Sequence, residues 1–199
     1  MPGPAASPGG PGSPGRAQGV RLRRLPTAAL APGEVAAIRA LLSEAFGPDE
    51  DDRFTDDDWD HAVGGTHFVL DLVGEVIAHA SVVERVLELG GRPVRTGYVE
   101  AVAVAPRQQG LGHGSTLMTA VTAWIADRFE LGALGTGRPR FYERLGWRTW
   151  RGPSAVRTPN GIRRTPDEDG FILVLPTRSS PQFDLTETIT CDWRPGDVW

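Results

Sequence analysis

The chain contains no lysine, one cysteine and no apolar run long enough to cross a bilayer. Each absence narrows the reading. Without lysine, no Gly-Lys-Ser/Thr closes a glycine run, which excludes a P-loop for nucleoside triphosphates. Cys191 alone cannot form an internal disulfide, which suits a cytoplasmic location. It reads as a small buried hydrophobe, because no histidine stands near it in sequence to make it a nucleophile. With no membrane-length stretch, no membrane partner is expected. Residues 1–19 are almost entirely Pro, Gly, Ala and Ser and lack a hydrophobic segment, so a disordered tail is expected there and not a secretory signal. Basic charge is also short: 21 arginines stand against 25 acidic residues, a net charge of −4, which argues against a nucleic-acid partner.

What is present begins with Tyr98-Val99-Glu100-Ala101-Val102-Ala103-Val104, an apolar, β-branched run that reads as a strand buried on both faces. A glycine-dense turn, Gln109-Gly110-Leu111-Gly112-His113-Gly114, follows it, and then Leu117, Met118, Val121, Trp124, Ile125 and Phe129 recur at helical spacing. A strand, a glycine turn and a helix N-terminus make an anion site. Glycine lets backbone approach a ligand closely, and the free N–H groups and positive dipole end point at it. A phosphate-bearing ligand is therefore expected. The spacing is wrong for the G-x-G-x-x-G of a dinucleotide fold.

The rest of the chain has the punctuation of one mixed domain over residues 20–199. Val20 to Leu25 alternates as a strand; Pro32 opens a helix ending near Gly47-Pro48; Asp56 to Ala62 is a short helix stopped by Gly64-Gly65. His67–Val73 and Val76–Leu89 read as strands around Gly74, and Val94–Val104 as a third. Leu131–Gly135 is a small-residue strand, Phe141–Leu145 a helix, Trp147–Trp150 a return to the sheet, and Phe171–Leu175 a further strand. The order is α/β (α+β) with a mixed central sheet. The acidic runs Asp49-Glu50-Asp51-Asp52 and Asp56-Asp57-Asp58 have two readings. The plainer, which we favour, is a solvated loop and a capped helix start; the other is a negative rim that draws in a polycation.

Glu100 is the one carboxylate in an otherwise apolar strand. Burying it unpaired is expensive, so it must face a cleft, a water chain or an arginine partner, and a carboxylate so placed is a candidate general base. Trp199 is a large aromatic at the end of the chain, where an exposed indole is unfavourable. If it folds back into a cleft, it carries its carboxylate and Asp197 with it.

Gln109, Gly112 and Gly114 fill the Gln/Arg-x-x-Gly-x-Gly/Ala pattern of the GNAT acyltransferases. Phe141-Tyr142-Glu143-Arg144-Leu145-Gly146-Trp147 resembles the F-Y-x-x-x-G-F/W segment of the same superfamily. Gly97–Val104 and the closing Cys191-Asp192-Trp193-Arg194-Pro195-Gly196-Asp197-Val198-Trp199 are similar to the corresponding segments of aminoglycoside 2′-N-acetyltransferases. The resemblance implies a GNAT fold whose central strand pair splays at the acetyl-CoA site. Acetyl-CoA would be the co-substrate, with no metal. Arg107 and the loop Gln109, Gly110, Leu111, Gly112, His113, Gly114 and Ser115 would hold its pyrophosphate, and the backbone of Val102, Ala103 and Val104 its pantetheine arm. The Val102 N–H would face the thioester oxygen, Tyr142 would protonate the leaving thiolate, and Glu100 would take the amine proton through water. Asp52, Glu100, Gly135, Glu168, Asp197 and Trp199 would meet a cationic amino sugar. The sequence departs from the family at Arg53, where an aspartate is usual before Phe54-Thr55, with Asp51 or Asp52 as substitutes. Glu168 stands for an aspartate, and Gly135 stands where a serine occurs. The expected activity is acetyl transfer to the 2′-amine of an aminoglycoside. Transfer to another amine, or a non-catalytic acetyl-CoA module, are the alternatives, and pairing of edge strands makes a homodimer a candidate.

Overall fold

The computed structural model describes residues 19–47 and 53–199. The tail expected over residues 1–19 therefore lies outside the described residues apart from Gly19, as does the candidate Asp52. Strand β1 (Val20–Pro26) leads to helix α1 (Pro32–Phe46) and then α2 (Asp56–Ala62). Pro32 at the first position of α1 fits a site where the N–H would be unbonded anyway. Thr55 caps α2: Thr55 Oγ1 accepts from the Asp58 N–H, and the Asp58 carboxylate accepts from the Thr55 N–H.

Three antiparallel strands follow, β2 (Thr66–Leu72), β3 (Glu75–Leu89) and β4 (Arg92–Val104), then α3 (His113–Arg128), β5 (Leu131–Gly135) and α4 (Pro139–Glu143). The chain ends with β6 (Arg148–Thr149), the hairpin β7 (Ser154–Thr158) and β8 (Gly161–Arg164), β9 (Ile172–Pro176) and β10 (Ile189–Asp192). The sheet runs β6-β9-β5-β4-β3-β10-β7-β8, and β2 with β1 joins the other half of β3. Most expected elements are found. The helix expected over Phe141–Leu145 lies earlier, opened by Pro139, and Phe171 is 49% exposed because the strand begins only at Ile172. The hairpin β7–β8 and strand β10 are additional to the sequence reading.

Helices cover both faces of the sheet. On one, Ile38, Leu41 and Leu42 of α1 and Trp59 of α2 pack with Val69 and Ala103. On the other, Leu117, Met118, Val121 and Ile125 of α3 pack with Phe68, Val99, Leu134, Tyr142 and Trp147. Each of those four α3 side chains is fully buried, a contribution of about 1.5–3 kcal/mol apiece. Trp147 buries its ring there because its Nε1–H finds the Thr122 hydroxyl at 3.0 Å.

Two irregularities in β4 shape the site. Pairing with β3 runs Ser81 with Glu100, then His79 with Ala103, so β4 carries one extra residue. The bulge contains Ala101 at φ 51°, a left-handed conformation that costs a non-glycine residue about 1–2 kcal/mol. On its other edge, β4 pairs parallel with β5 only through Thr96, Gly97 and Tyr98. Beyond Tyr98 the two strands part, which is the expected splay.

Candidate active site

The open edge of β4 is lined by groups from both faces. Opposed residues of an antiparallel pair share a face. Glu100 therefore stands with Ser81, whose hydroxyl bonds the Ala62 carbonyl of α2, on the α1/α2 face. The bulge changes the alternation, so Val102 and Val104 pack toward the α3/α4 core instead. The gap thus has Glu100 on one side and Val102, Val104 and Tyr142 on the other.

The glycine loop sits at the foot of this gap. Gly110 (φ 77°) and Gly112 (φ 86°) are left-handed, and Gly112 is the N-cap of α3. The Gln109 side-chain amide donates to the Val104 carbonyl at 3.1 Å, fixing the loop to the end of β4. The first bond of the helix runs from Thr116 N–H to Gly112 O at 3.0 Å, leaving the N–H groups of His113, Gly114 and Ser115 outside the helical ladder. A Cβ on Gly114 would meet Phe141 and Val104 only at 3.5 Å, so packing within the chain does not demand glycine there. Without a Cβ, the backbone there stays open to close approach by a ligand. This cradle fits a pyrophosphate. Arg107 is not aimed into it: its guanidinium forms ion pairs with Glu75 and, at 3.8 Å, with Glu44 of α1.

Tyr142 is buried, only 8% exposed. Burial pushes its pKa up to about 12, with Arg138 pulling the other way, so it holds its proton at neutral pH. Glu100 is 13% exposed and accepts from Arg194 Nη1 at 2.6 Å. Burial raises its carboxyl above the usual range; Arg194, Arg85 and His61 oppose that shift.

The chain's last residues close the α2 side. His61 Nε2 lies 2.7 Å from the Pro195 carbonyl, and Gly196 (φ 67°) packs against Asp57 and His61. Trp199 does fold back: it is 8% exposed, its Nε1–H donates to Thr165 Oγ1 at 3.0 Å, and its backbone carbonyl lies beside Gly135. Glu168 is half-buried, and burial followed by repulsion from Asp197 and Asp167 raises its pKa. Glu100, Gly135, Glu168, Asp197 and Trp199 are thus gathered around one region.

The sequence reading missed three contributors, Arg194, Arg85 and Tyr98. Arg194 pairs with Glu100, and Arg85 donates to the Val198 carbonyl at 2.9 Å. The Arg85 and Arg194 guanidiniums lie 4.6 and 5.7 Å from the Tyr98 ring. The Tyr98 hydroxyl, Arg85 Nη1 and Arg194 Nη2 are buried without protein partners among the described residues. Glu100 required a counterion, but with 21 arginines the sequence does not say which.

This combination of a bulged strand parting from its parallel neighbour and a glycine-capped helix is that of an acyl-CoA-dependent transferase. Residues 35–147 match the acetyltransferase (GNAT) family model, and the chain belongs to that family. It is similar to an aminoglycoside 2′-N-acetyltransferase of Mycolicibacterium fortuitum, with 43% identity over 166 residues, 81% of this chain and 83% of that one. Among solved structures, a GNAT-family N-acetyltransferase of Escherichia coli in complex with CoA superposes with a TM-score of 0.61 at 16% identity, covering 90% of this chain and 93% of that one. A GNAT acetyltransferase of Brucella melitensis in complex with acetyl-CoA gives 0.55 at 19% identity, over 84% and 94%. These two share the fold. Some larger solved members are matched over only 36% or 33% of their own length.

Proposed function

We propose that this enzyme moves an acetyl group from acetyl-CoA to the 2′-amine of an aminoglycoside, by direct transfer within a ternary complex. The observation that carries the reading is the gathering of Glu100, Glu168, Asp197 and Trp199 around one region, where burial and then repulsion from Asp197 and Asp167 raise the Glu168 pKa and a bound cation would relieve that repulsion. A polycationic sugar would supply that relief. The name of the relative from Mycolicibacterium fortuitum supports the same substrate.

Acetyl-CoA supplies an acetyl group already activated as a thioester. The N–H groups of His113, Gly114 and Ser115, with the left-handed loop before them, would hold its pyrophosphate. Val102 N–H would donate to the thioester oxygen as charge develops there. Glu100 would accept the amine proton through water, its raised pKa bringing it closer to the working range of a base. Tyr142, protonated up to about pH 12, would give its proton at the sulfur. Glu168, Asp197 and Trp199 would hold the cationic rings. We place the reaction in the cytoplasm, and a homodimer would use the free edge of β8.

The test is CoA release, followed as free thiol, with tobramycin or gentamicin against an analogue that carries a 2′-hydroxyl. Turnover confined to the 2′-amine is the expected result. No turnover with either, alongside tight acetyl-CoA binding, would overturn the aminoglycoside assignment.

A further inference from the structure

Two histidines lie fully buried beside the bulge, and the reaction as derived above makes no use of them. His67 of β2 and His79 of β3 are each 0% exposed, and His67 Nδ1 lies 2.9 Å from His79 Nε2. His79 Nδ1 is 2.8 Å from the Ala101 carbonyl, and His67 Nε2 is 2.8 Å from Thr27 Oγ1, which accepts from the Gly64 N–H at 3.0 Å. Proton positions in this chain follow from its ends. A carbonyl can only accept, so His79 Nδ1 carries hydrogen and donates to Ala101 O. Burial keeps both rings neutral, lowering His67 to about 4 and His79 to about 3. His79 Nε2 is then bare and accepts from His67 Nδ1–H, and His67 Nε2 accepts from the Thr27 hydroxyl. Every bond runs one way, toward Ala101.

The Ala101 carbonyl and the Val102 N–H belong to one peptide unit. No peptide bond among the described residues is cis, so the C=O and N–H of that unit point in opposite directions. His79 shares a face with its cross-strand partner Val69, which packs against α1 and α2; Ala101 packs in the same cluster, while Val102 packs with the α3/α4 core. Holding the carbonyl on the α1/α2 side aims the N–H to the other. We infer that Thr27, His67 and His79 are positioning residues for acyl transfer: they hold the Ala101–Val102 peptide in its left-handed bulge and thereby aim the Val102 N–H at the thioester. A chain of bonds ending on the carbonyl also polarises the peptide and strengthens the N–H as a donor. The inference rests on the acetyl-transfer reading above.

The decisive comparison uses His79→Leu, His79→Asn and His79→Gln. Asparagine presents an amide N–H near the position of imidazole Nδ1, glutamine presents one near Nε2, and leucine presents none. Infrared difference spectra of bound acetyl-CoA, carbon-13 labelled at the carbonyl, report the Val102 hydrogen bond directly. Steady-state rates report its use. In the unaltered protein the carbonyl band shifts to lower frequency on binding. In His79→Leu that shift is lost and kcat falls about 10- to 100-fold, with KM for acetyl-CoA changed much less. His79→Asn recovers most of both, and His79→Gln does not. If leucine proves incompatible with folding, the Asn–Gln contrast alone decides. A folded His79→Leu with the full band shift and rate would overturn the inference, as would equal impairment of the Asn and Gln variants. No band shift even in the unaltered protein would instead remove the role given to Val102, and this inference with it.

Discussion

Replacing Arg194 with leucine leaves the Glu100 carboxylate in its cleft without the guanidinium that now lies 2.6 Å away. Burial already raises this carboxyl, and Arg194 opposes the rise more strongly than Arg85 or His61. Two unit charges about 4 Å apart at an effective dielectric near 20 attract by about 4 kcal/mol. The side chains of Arg194 and Glu100 are 16% and 13% exposed, so water screens part of this attraction without abolishing it. The direction is fixed. A lost cation raises the carboxyl pKa, and a base must be ionised to act. The acidic limb of the kcat/KM profile for CoA release therefore moves to higher pH. Arg194 Nε also donates to the Asp197 carbonyl, so KM for the amine is expected to rise as the chain's end loosens. Profiles from pH 5 to 9 at saturating acetyl-CoA separate the two effects. A folded Arg194→Leu enzyme whose acidic limb stays in place would refute the claim that Glu100 is the titrating base.

Three further outcomes are expected. Tyr142→Phe keeps the ring in its contacts with Phe141 and Trp147 but removes the proton donor, so kcat falls about 100-fold at unchanged thermal midpoint; an unchanged kcat would remove Tyr142 as the acid. Trp199→Ala removes a side chain only 8% exposed and its bond to Thr165, and urea denaturation is expected to show a loss of about 3 kcal/mol. Acid sensitivity should carry a histidine component. His67 and His79 refuse protons down to about pH 4 and 3 when folded but accept them near 6.5 when unfolded, so their stability contribution is present above 6.5 and is lost as pH falls toward 4. Each adds a slope of up to about 1.4 kcal/mol per pH unit in that window, and denaturation midpoints at pH 7, 6 and 5 should show a shallower trend in His67→Gln.

The donor half of the site was legible because its chemistry is local. Strand, glycine turn and helix lie within one stretch of chain, and the left-handed Gly110 and Gly112 are where glycine is required. The acceptor half was legible only as a set of candidates. Nothing adjacent to Glu100 points to Arg194, 94 residues away, and the pairing depends on α2 gripping Pro195 and Gly196. Arg107 differs: its place before the loop suggested phosphate, and its guanidinium pairs with Glu75 and Glu44, which lie far off in sequence and gave no sign of it. The β7–β8 hairpin did have a signal in Asn160-Gly161, a turn pair between short β-prone runs. Strand β10 had none, since a four-residue parallel partner for β7 is set by the sheet around it. Ala101 is the hardest case. Alanine has no preference for a left-handed backbone, so its φ of 51° is imposed by contacts from elsewhere in the fold.

The extra residue in β4 has a consequence for how this site can change. A side chain can be exchanged by substitution, but a bulge is a matter of count: three steps from Glu100 to Ala103 face two from Ser81 to His79. Deleting Ala101 would restore an even ladder with Glu100 still beside Ser81, but it would remove the left-handed residue and shorten the interval from Glu100 to the Val102 N–H by one, without altering the identity of any other residue. Arithmetic of this kind is invisible to a comparison of residue types alone. The feature to follow between distant members of the fold is the interval between the positions of Glu100 and the Val102 amide.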